Sequence, residues 1–433
     1  MLKSYTFGCG QGATKAMICC IENGTVDPNY CCVVNSTIKD IPEKYQDKAI
    51  IISDDPNAGC GKVRGAAKSL MVRYLKNNPN VIDSMITEDI DYVNIISTTE
   101  GASGSGASVV LAQYIAQQIG IPVVISLISG FESDTRGLQN TIDYFKDLNG
   151  GNFVIRTFSN KKFLDKTNNT FTAERMANED ISNSFKIING DGIIDSDQNI
   201  DDTDHFKLIT NPGMIITTEV LIDKRLKNNS QFEQLISDSI DYSSSLDFTP
   251  SATKIGIFMN ISDENLEIID TSFNMIKKKL CGSNRIPEFF THRQYDPQQS
   301  EYLRIIASGL DLPKEEIQEM YQKYQNDLVV NTSKNDDFFD AIGSMDTDNK
   351  LDDTEQRSSS NDFFSQFNDD GENEEERAVL GRNRRNRRVV SSTSNTVSNN
   401  DSTKNPFIKD TTNRSKFSSK KEVPHSEDLI NKF

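Results

Sequence analysis

A stretch of small residues, STTEGASGSGAS, begins at Ser97 directly behind the apolar run YVNII. Its glycines, Gly101, Gly104 and Gly106, allow close approach of the backbone to a ligand. A helical pattern, ASVVLAQYIAQQ, follows at once. A strand, a small-residue loop and a helix in this order bring main-chain N–H groups onto a phosphate in many folds. The loop is neither a Walker A motif, because no Lys-Ser or Lys-Thr pair closes it, nor G-x-G-x-x-G.

Two other glycine-bearing loops also follow apolar runs. They read GCGQGATK at 8–15 and DDPNAGCGKVRG at 54–65. Each of them alone is explained about equally well by a tight turn that binds no ligand. Three such loops at the same end of one sheet favour a shared phosphate ligand.

An acidic motif, NIDDTDHFKLITNPG, begins at Asn199. The spacing of three residues puts Asp201 and Asp204 near one face if the loop turns into a helix there. Taken alone, the motif is best explained as an acidic first turn that complements the helix dipole.

The elements around these motifs predict an α/β fold. Up to about residue 160, near-continuous apolar runs alternate with helical patterns, which indicates a mostly parallel sheet covered on both faces. The candidate strands are SYTF, CCVVN, KAIII, YVNIIS, IPVVISL and NFVIRTF, and the candidate helices span 13–22, 61–76, 107–118 and 135–148. In such sheets, loops between a strand and a helix form the ligand-binding edge.

The rest of the chain divides into three parts. The segment 172–189 has apolar residues at the spacing of one long helix, and a second α/β stretch runs from about 211 to 330. Pro313 opens the helix that ends this stretch. After about residue 331 apolar residues are too sparse to bury a core, which predicts a disordered tail.

Composition excludes several classes of protein. The 433 residues carry a net charge of −17, so a surface that coats nucleic acid is not expected. No segment approaches about 18 apolar residues, and the N-terminus lacks the apolar region of a signal peptide, so we expect a cytoplasmic protein without a membrane partner. The seven cysteines are expected to be reduced and packed as small hydrophobic residues. The three histidines lie far apart, so no metal site is expected from protein ligands alone.

The loops together resemble those of the tubulin/FtsZ superfamily of filament-forming GTPases. The hallmark loop of that family reads Gly-Gly-Gly-Thr-Gly-(Ser/Thr)-Gly. Aligned from its end, the stretch from Ser103 to Gly106 matches it with Ser for Thr, whereas Ala102 and Glu100 stand where the family has glycine. Glu100 is then expected to keep its backbone beside the phosphate with its side chain pointing outward.

The resemblance continues downstream and implies a set of nucleotide-binding residues. IPVVISLISGFESDTRGLQNTIDYF places Glu132 near the ribose and Arg136 near the phosphates. RTFSNKKFL places Asn160 at the nucleotide, and ANED places Asn178 at the guanine edge. The remaining residues implied are Gly10, Gln11, Gly12, Asn35, Gly59, Gly61, Gly101, Ser103, Gly104, Ser105 and Gly106.

The motif at 199–213 resembles the family's synergy loop, Asn-x-Asp-x-x-Asp followed by a helix. In the family this loop projects into the GTP pocket of the next subunit. The resemblance therefore implies that Asp201 and Asp204, with Asn199 beside them, position and polarise the water that attacks GTP in a neighbouring copy. GTP, GDP and Mg²⁺ are the implied cofactors, and the implied partner is the chain itself in a head-to-tail polymer.

The resemblance also implies a domain organisation. A GTP-binding domain at 1–170 precedes a central helix and synergy loop at 171–210, a smaller α/β domain at 211–330 and the tail at 331–433. The divergent loop and long polar tail are most similar to the plasmid and phage tubulins, which implies plasmid segregation or positioning of phage DNA. The helix from about 313 to 328 would either reach along the neighbouring subunit or pack on its own domain.

The tail holds a basic cluster, RNRRNRR. Its arginines could each meet a phosphate, which would let polymer-bound tails hold DNA or a DNA-binding adaptor. An acidic protein surface, self-association with the acidic part of the tail and a solvated linker remain alternatives. The arginines are Arg382, Arg384, Arg385, Arg387 and Arg388.

Two other functions stay open at this point. One is a scaffold filament that binds GTP but hydrolyses it little, which the glutamate and the missing glycines of the hallmark loop favour. The other is an unrelated Rossmann-type metabolic enzyme, which would need a ribose-binding acid after the first loop and would not use Asp201 or Asp204.

Overall fold

A ten-stranded sheet organises the part of the chain that the structure describes. The structure is a computed structural model that describes residues 2–131, 134–194, 200–222, 229–243, 248–283 and 285–327. The strands are β1 (Ser4–Cys9), β2 (Cys31–Asn35), β3 (Ala49–Ile51), β4 (Tyr92–Thr98), β5 (Val123–Ser129), β6 (Val154–Ser159), β7 (Gly213–Leu221), β8 (Lys254–Asn260), β9 (Glu288–Gln294) and β10 (Tyr302–Leu310). Their order across the sheet is β3-β2-β1-β4-β5-β6-β7-β10-β8-β9.

Helices connect most of these strands. They are α1 (Gln11–Glu22), α2 (Arg64–Asn77), α3 (Ser108–Tyr114), α4 (Thr135–Leu148), α5 (Asn160–Thr167), α6 (Thr170–Ile188), α7 (Asp202–Ile209), α8 (Asn229–Ser243), α9 (Asp263–Cys281) and α10 (Lys314–Asp327). Two π-helical turns, Ser103–Ala107 and Ile115–Ile119, extend α3 at both ends, and short 3-10 turns span Ile38–Asp40 and Glu43–Lys48.

The first six strands run parallel in close register. Cys9 at the end of β1 pairs with both Val34 and Ser97, and Ser129 at the end of β5 pairs with Ser159 at the end of β6. The carboxyl ends of these strands therefore meet at one edge of the sheet, which we call the loop edge. The predicted α/β fold with a mostly parallel sheet is confirmed.

Successive residues of β4 show why both faces are covered. Ile95 packs into a core with Leu70 of α2 and Leu138 of α4, whereas Ile96 packs into a second core with Phe185 of α6. Side chains alternate between the two faces of a strand, so a strand buried on both sides is apolar along its whole length. Helices α2, α3 and α4 thus lie on one face of this part of the sheet, and α1 and α6 lie on the other.

Helix α6 runs from the loop edge to the opposite edge of the parallel strands. Ala173 in its first turn lies in a cluster with Phe131, just past the end of β5. Its last residue, Ile188, packs against Tyr92 and Val154, the first residues of β4 and β6. Nineteen residues at about 1.5 Å each give the helix a length of about 28 Å.

The sheet continues into the second half of the chain. β7 pairs with β6 only through Val154↔Gly213 and Ile155↔Met214, and then runs antiparallel to β10. β10 runs antiparallel to β8, which pairs in parallel with β9. Helix α10 packs on α4 of its own chain. The predicted tail lies outside the described residues.

The cysteines behave as the sequence predicts. All seven are free thiols, and all except the half-buried Cys19 are buried. Burial raises the pKa of the Cys32 thiol to about 12, which keeps it in the unreactive protonated form.

No helix in the described part of the chain is both long and apolar enough to cross a membrane.

Candidate functional site

Several helices begin just past the loop edge. α1 follows β1 after one residue, the first π-helical turn starts at Ser103 soon after β4, and α5 starts at Asn160 directly after β6. Thr135 begins α4 behind the short loop that follows β5. The N-terminus of a helix carries partial positive charge and free N–H donors, so their convergence favours an anionic ligand at this edge.

Glycines let the first of these loops touch the small-residue stretch. Gly10 has a φ of 84°, and a Cβ atom added there would lie 2.9 Å from the amide nitrogen of Gly104. A Cβ at Gly12 would lie 2.6 Å from Cγ2 of Thr98. Glycine is therefore required at both positions for α1 to start this close to the end of β4.

The small-residue stretch turns helical earlier than the sequence predicts. The helix expected from residue 107 begins with a π-helical turn at Ser103. Gly104 packs against the backbone of Thr98, and a Cβ at Gly106 would lie 2.5 Å from the carbonyl oxygen of Arg64. Because these glycines have no side chains, the wider π turn fits directly against β4 and α2.

The hydroxyl groups of this stretch are used inside the protein. Ser103 Oγ lies 3.0 Å from Ser36 Oγ, and Ser105 is fully buried. Both the amide and the hydroxyl of Ser105 donate to the carbonyl oxygen of Gly101, at 3.0 and 2.7 Å. The stretch therefore offers a ligand its backbone rather than its hydroxyls.

Asn35 presents a buried donor at the same edge. Its Oδ1 accepts from the amide of Ser36 at 2.8 Å, whereas its buried Nδ2 has no hydrogen-bond partner among the described residues. An unsatisfied buried donor is costly, so an acceptor oxygen from a ligand fits here. Gln11 is exposed at the start of α1, where its Nε2 reaches Oδ1 of Asp40 at 3.4 Å.

The loop after β3 keeps its backbone open. Both Gly59 and Gly61 are exposed, and a Cβ at either would meet nothing within 4 Å. Gly61 and Lys62 have φ angles of 57° and 62°, so the chain turns here through the left-handed region. The Lys62 ammonium pairs with Asp134, the N-cap of α4, which lowers the pKa of that carboxyl.

The side chain of Glu100 packs between the loop after β5 and the first turn of α4, and the expectation that it points away from a bound phosphate stays a prediction. The side chain is half-buried and lies against the backbones of Gly130 and Gly137, where the absence of Cβ atoms leaves room for it. Arg136 is half-buried in the first turn of α4, and Asn160 is half-buried at the start of α5. Glu132 lies outside the described residues.

Asn178 faces α1 near this edge. Glu174, one turn earlier on α6, pairs with Lys15 of α1 at 2.9 Å, and Ser182, one turn later, accepts from Asn23 at 3.2 Å. Residues four apart share one side of a helix, so Asn178 lies between these two contacts.

The acidic motif lies at the other edge of the parallel strands. Ile200 packs into the cluster that contains Tyr92 and Val154, so the residues that follow it begin beside the amino ends of the strands. Asp201 caps α7 by accepting from the amide of Asp204 at 2.7 Å, and Asp204 accepts from Lys207 at 3.1 Å. Within one chain the structure does not bring these acids to the glycine loops. Asn199 lies outside the described residues.

Two residues of α4 that support the loops of the site were not predicted from the sequence. The hydroxyl of Tyr144 lies 2.7 Å from that of Ser97 and 2.6 Å from that of Ser108, which joins α4 to both ends of the small-residue stretch. Asn140, also buried, donates to carbonyl oxygens of two edge loops. The only signal in the sequence is a polar residue at a core position of an amphipathic helix.

Of the comparisons with known proteins, the one with solved structures identifies the fold. No protein-family model matches the chain, and no curated protein matches its sequence. Solved structures do match it. A GTPγS-bound protofilament of CetZ2 from Haloferax volcanii is 14% identical, with a TM-score of 0.63 over 76% of this chain and 100% of that one. A GTPγS-form protofilament of TubZ from Bacillus thuringiensis serovar israelensis is 17% identical, with a TM-score of 0.59 over 76% and 94%. TubZ of Clostridium botulinum phage c-st is 18% identical, with a TM-score of 0.54 over 76% and 98%.

Proposed function

We propose that this chain, which has the fold of the tubulin/FtsZ superfamily, binds GTP at the loop edge and assembles head to tail into filaments that hydrolyse it. The converging helix N-termini, the glycine contacts and the unsatisfied amide of Asn35 support a phosphate site at this edge. The matched structures include nucleotide-bound protofilaments, which supports GTP as the ligand and self-assembly as the outcome.

The observation that carries this proposal is the separation of the acids from the loops. Asp201 lies at the edge where α6 ends, and the glycine loops lie at the edge where α6 begins. The 19 residues of α6 span about 28 Å between these edges. A head-to-tail contact would place the acids of one copy over the loops of the next, and repetition of such a contact gives an open filament.

In this arrangement each copy supplies half of the reaction site. The loops would hold the phosphates, and Asp201 and Asp204 of the neighbouring copy, with Asn199, would orient the attacking water and take up its proton. Mg²⁺ is expected to bind through the phosphate oxygens and to neutralise their charge.

The guanine base of GTP would lie towards α6. Asn178 offers both a donor and an acceptor to the guanine edge. Phe171, which is 82% exposed at the start of α6, lies on the same side of the helix two turns earlier and offers a flat surface for stacking. By the same resemblance, Glu132 would lie near the ribose and Asn160 would contact the nucleotide.

Light scattering and phosphate release with GTP test the proposal for wild type and Asp204→Asn. Wild type is expected to form polymers that later disassemble, whereas the variant forms stable polymers and releases phosphate at least about tenfold more slowly. Failure of the wild type to polymerise with any nucleotide would refute the filament, and unchanged phosphate release in the variant would refute the role of Asp204.

A scaffold filament with little hydrolysis is the second candidate. It is favoured by the contacts of the acids, since Asp201 already caps α7 and Asp204 already pairs with Lys207. The same experiment separates the two functions, because a scaffold polymerises with GTP and releases phosphate equally slowly in both proteins.

The cellular role that we propose is segregation of a plasmid or positioning of phage DNA. The basic cluster of the tail would hold DNA or a DNA-binding adaptor, and many tails on one filament would bind together. Deletion of the chain beyond residue 328 tests this role, since a truncated filament that still tracks its DNA in cells would show that the tail is a linker.

A further inference from the structure

Helix α4 joins two loops of the site through one side chain. The carboxamide nitrogen of Asn140 donates to the carbonyl oxygen of Lys62 at 3.1 Å, in the loop after β3. It also donates to the carbonyl oxygen of Glu100 at 2.8 Å, in the loop after β4. Asn140 is only 3% exposed, so both of its N–H groups are used inside the protein.

The loop after β3 needs this support. Lys62 has a φ of 62°, which a lysine keeps only where the surrounding structure holds it. Helix α4 holds Lys62 at two points. The ammonium of Lys62 pairs with Asp134, the N-cap of α4, and the carbonyl oxygen of Lys62 accepts from Asn140. Thr141 fixes the other loop, donating to the hydroxyl of Thr99 at 2.8 Å.

We infer that Asn140 is a positioning residue that couples these two loops, so that a ligand bound to one loop orders the other. The inference rests on the proposed function and adds a preference for one nucleotide. β3 is the outermost strand on one side of the sheet. The first turns of α6 pack instead against Phe131, just past the end of β5, and Phe163 of α5, which follows β6. With its base at Asn178, a nucleotide running along the loop edge presents its terminal phosphate to the loop after β3. Asn140 therefore strengthens the binding of the triphosphate more than that of the diphosphate.

Dissociation constants of GTP and GDP, measured below the concentration for assembly, test this role. Asn140→Ala is expected to raise the Kd of GTP about tenfold and that of GDP less than about threefold, since both hydrogen bonds to the loops are lost. Gln139→Ala is the matched control, because it removes a carboxamide from the same turn of α4, and both constants are expected to stay within about twofold. An equal rise for GTP and GDP in Asn140→Ala, or no rise in either, overturns the inference.

Hydrogen exchange of the wild type tests the coupling without a variant, even where Asn140→Ala does not fold. On addition of GTP, the amides of 59–62 and of 100–104 are expected to gain protection together, and protection of one loop alone overturns the coupling. A wild type that binds neither nucleotide refutes the proposed function itself. A wild type that binds both, with Asn140→Ala equal to Gln139→Ala, refutes only the role of Asn140.

Discussion

The hydroxyl of Tyr92 donates a hydrogen bond to Oδ1 of Asn189 at 3.4 Å, which joins the first residue of β4 to the C-cap residue of α6. β4 carries the small-residue stretch at its other end, and Asn178 lies about three turns before Asn189. The contact anchors the end of α6 at the edge opposite the glycine loops. The acidic motif that follows α6 therefore starts away from the loops of its own chain, and a site that uses both needs two chains.

The close contact of Gly104 with β4 gives a first prediction. Gly104→Ala is expected to lower the free energy of unfolding by about 2 kcal/mol or more, because the new Cβ would lie 2.9 Å from the amide nitrogen of Thr98. Gly59→Ala is the matched control, since its Cβ would meet nothing within 4 Å and the free energy of unfolding should change by less than about 0.5 kcal/mol. Urea unfolding measures both, and equal losses would contradict the packing described.

The carboxyl of Asp180 on α6 gives a prediction about pH. Burial raises the pKa of Asp180 from 3.8 to about 6, although Lys162 and Lys166 oppose the shift. The folded state then binds the proton more tightly than the unfolded state, so the contribution of this group is greatest below about pH 4 and is lost as pH rises through 6.

Asp180→Asn is therefore expected to raise the free energy of unfolding at pH 7.5 by about 1 kcal/mol and to leave it nearly unchanged at pH 4. The expected gain is less than the pKa alone implies, because the side chain is half-buried rather than fully buried. Denaturant unfolding at the two pH values measures it. The same difference at both values would show that the carboxyl does not titrate as described.

His205 on α7 gives the opposite dependence. Burial lowers the pKa of His205 from 6.5 to about 4, so the unfolded state binds its proton first and stability is lost as pH falls from about 6.5 through 4. In His205→Gln this loss is absent. The variant should be less stable than the wild type at pH 7, and this difference in the free energy of unfolding should shrink by about 3 kcal/mol on going to pH 4. A difference that stays constant would contradict the lowered pKa.

The sequence predicted the parallel half of the sheet closely. CCVVN coincides with β2, and the helix predicted at 135–148 coincides with α4. Short-range patterns are enough to predict these elements. A continuous apolar run marks a strand buried on both faces, and an amphipathic pattern ended by turn residues marks a helix. β7 and β10 were not predicted, because their place in the sheet depends on pairing between residues far apart in the chain.

The site was predicted less completely, for a physical reason. Gly10, Gly12 and Gly104 share one edge because the ends of parallel strands must meet there. The orientation of Glu100 depends instead on the space left by Gly130 and Gly137, which no spacing in the sequence reveals. The nucleotide contacts and the catalytic role of the acids stay predictions.

Mixing two defective variants tests the shared site most directly. One carries Asp201→Asn and Asp204→Asn and keeps its loops, and the other carries Arg136→Ala and Asn178→Ala and keeps its acids. Each alone is expected to release little phosphate. In an equal mixture that assembles at random, about one site in four joins intact loops to intact acids, so about a quarter of the wild-type rate should return. A mixture that co-sediments as one polymer, yet releases phosphate no faster than the two variants measured separately, would contradict the account.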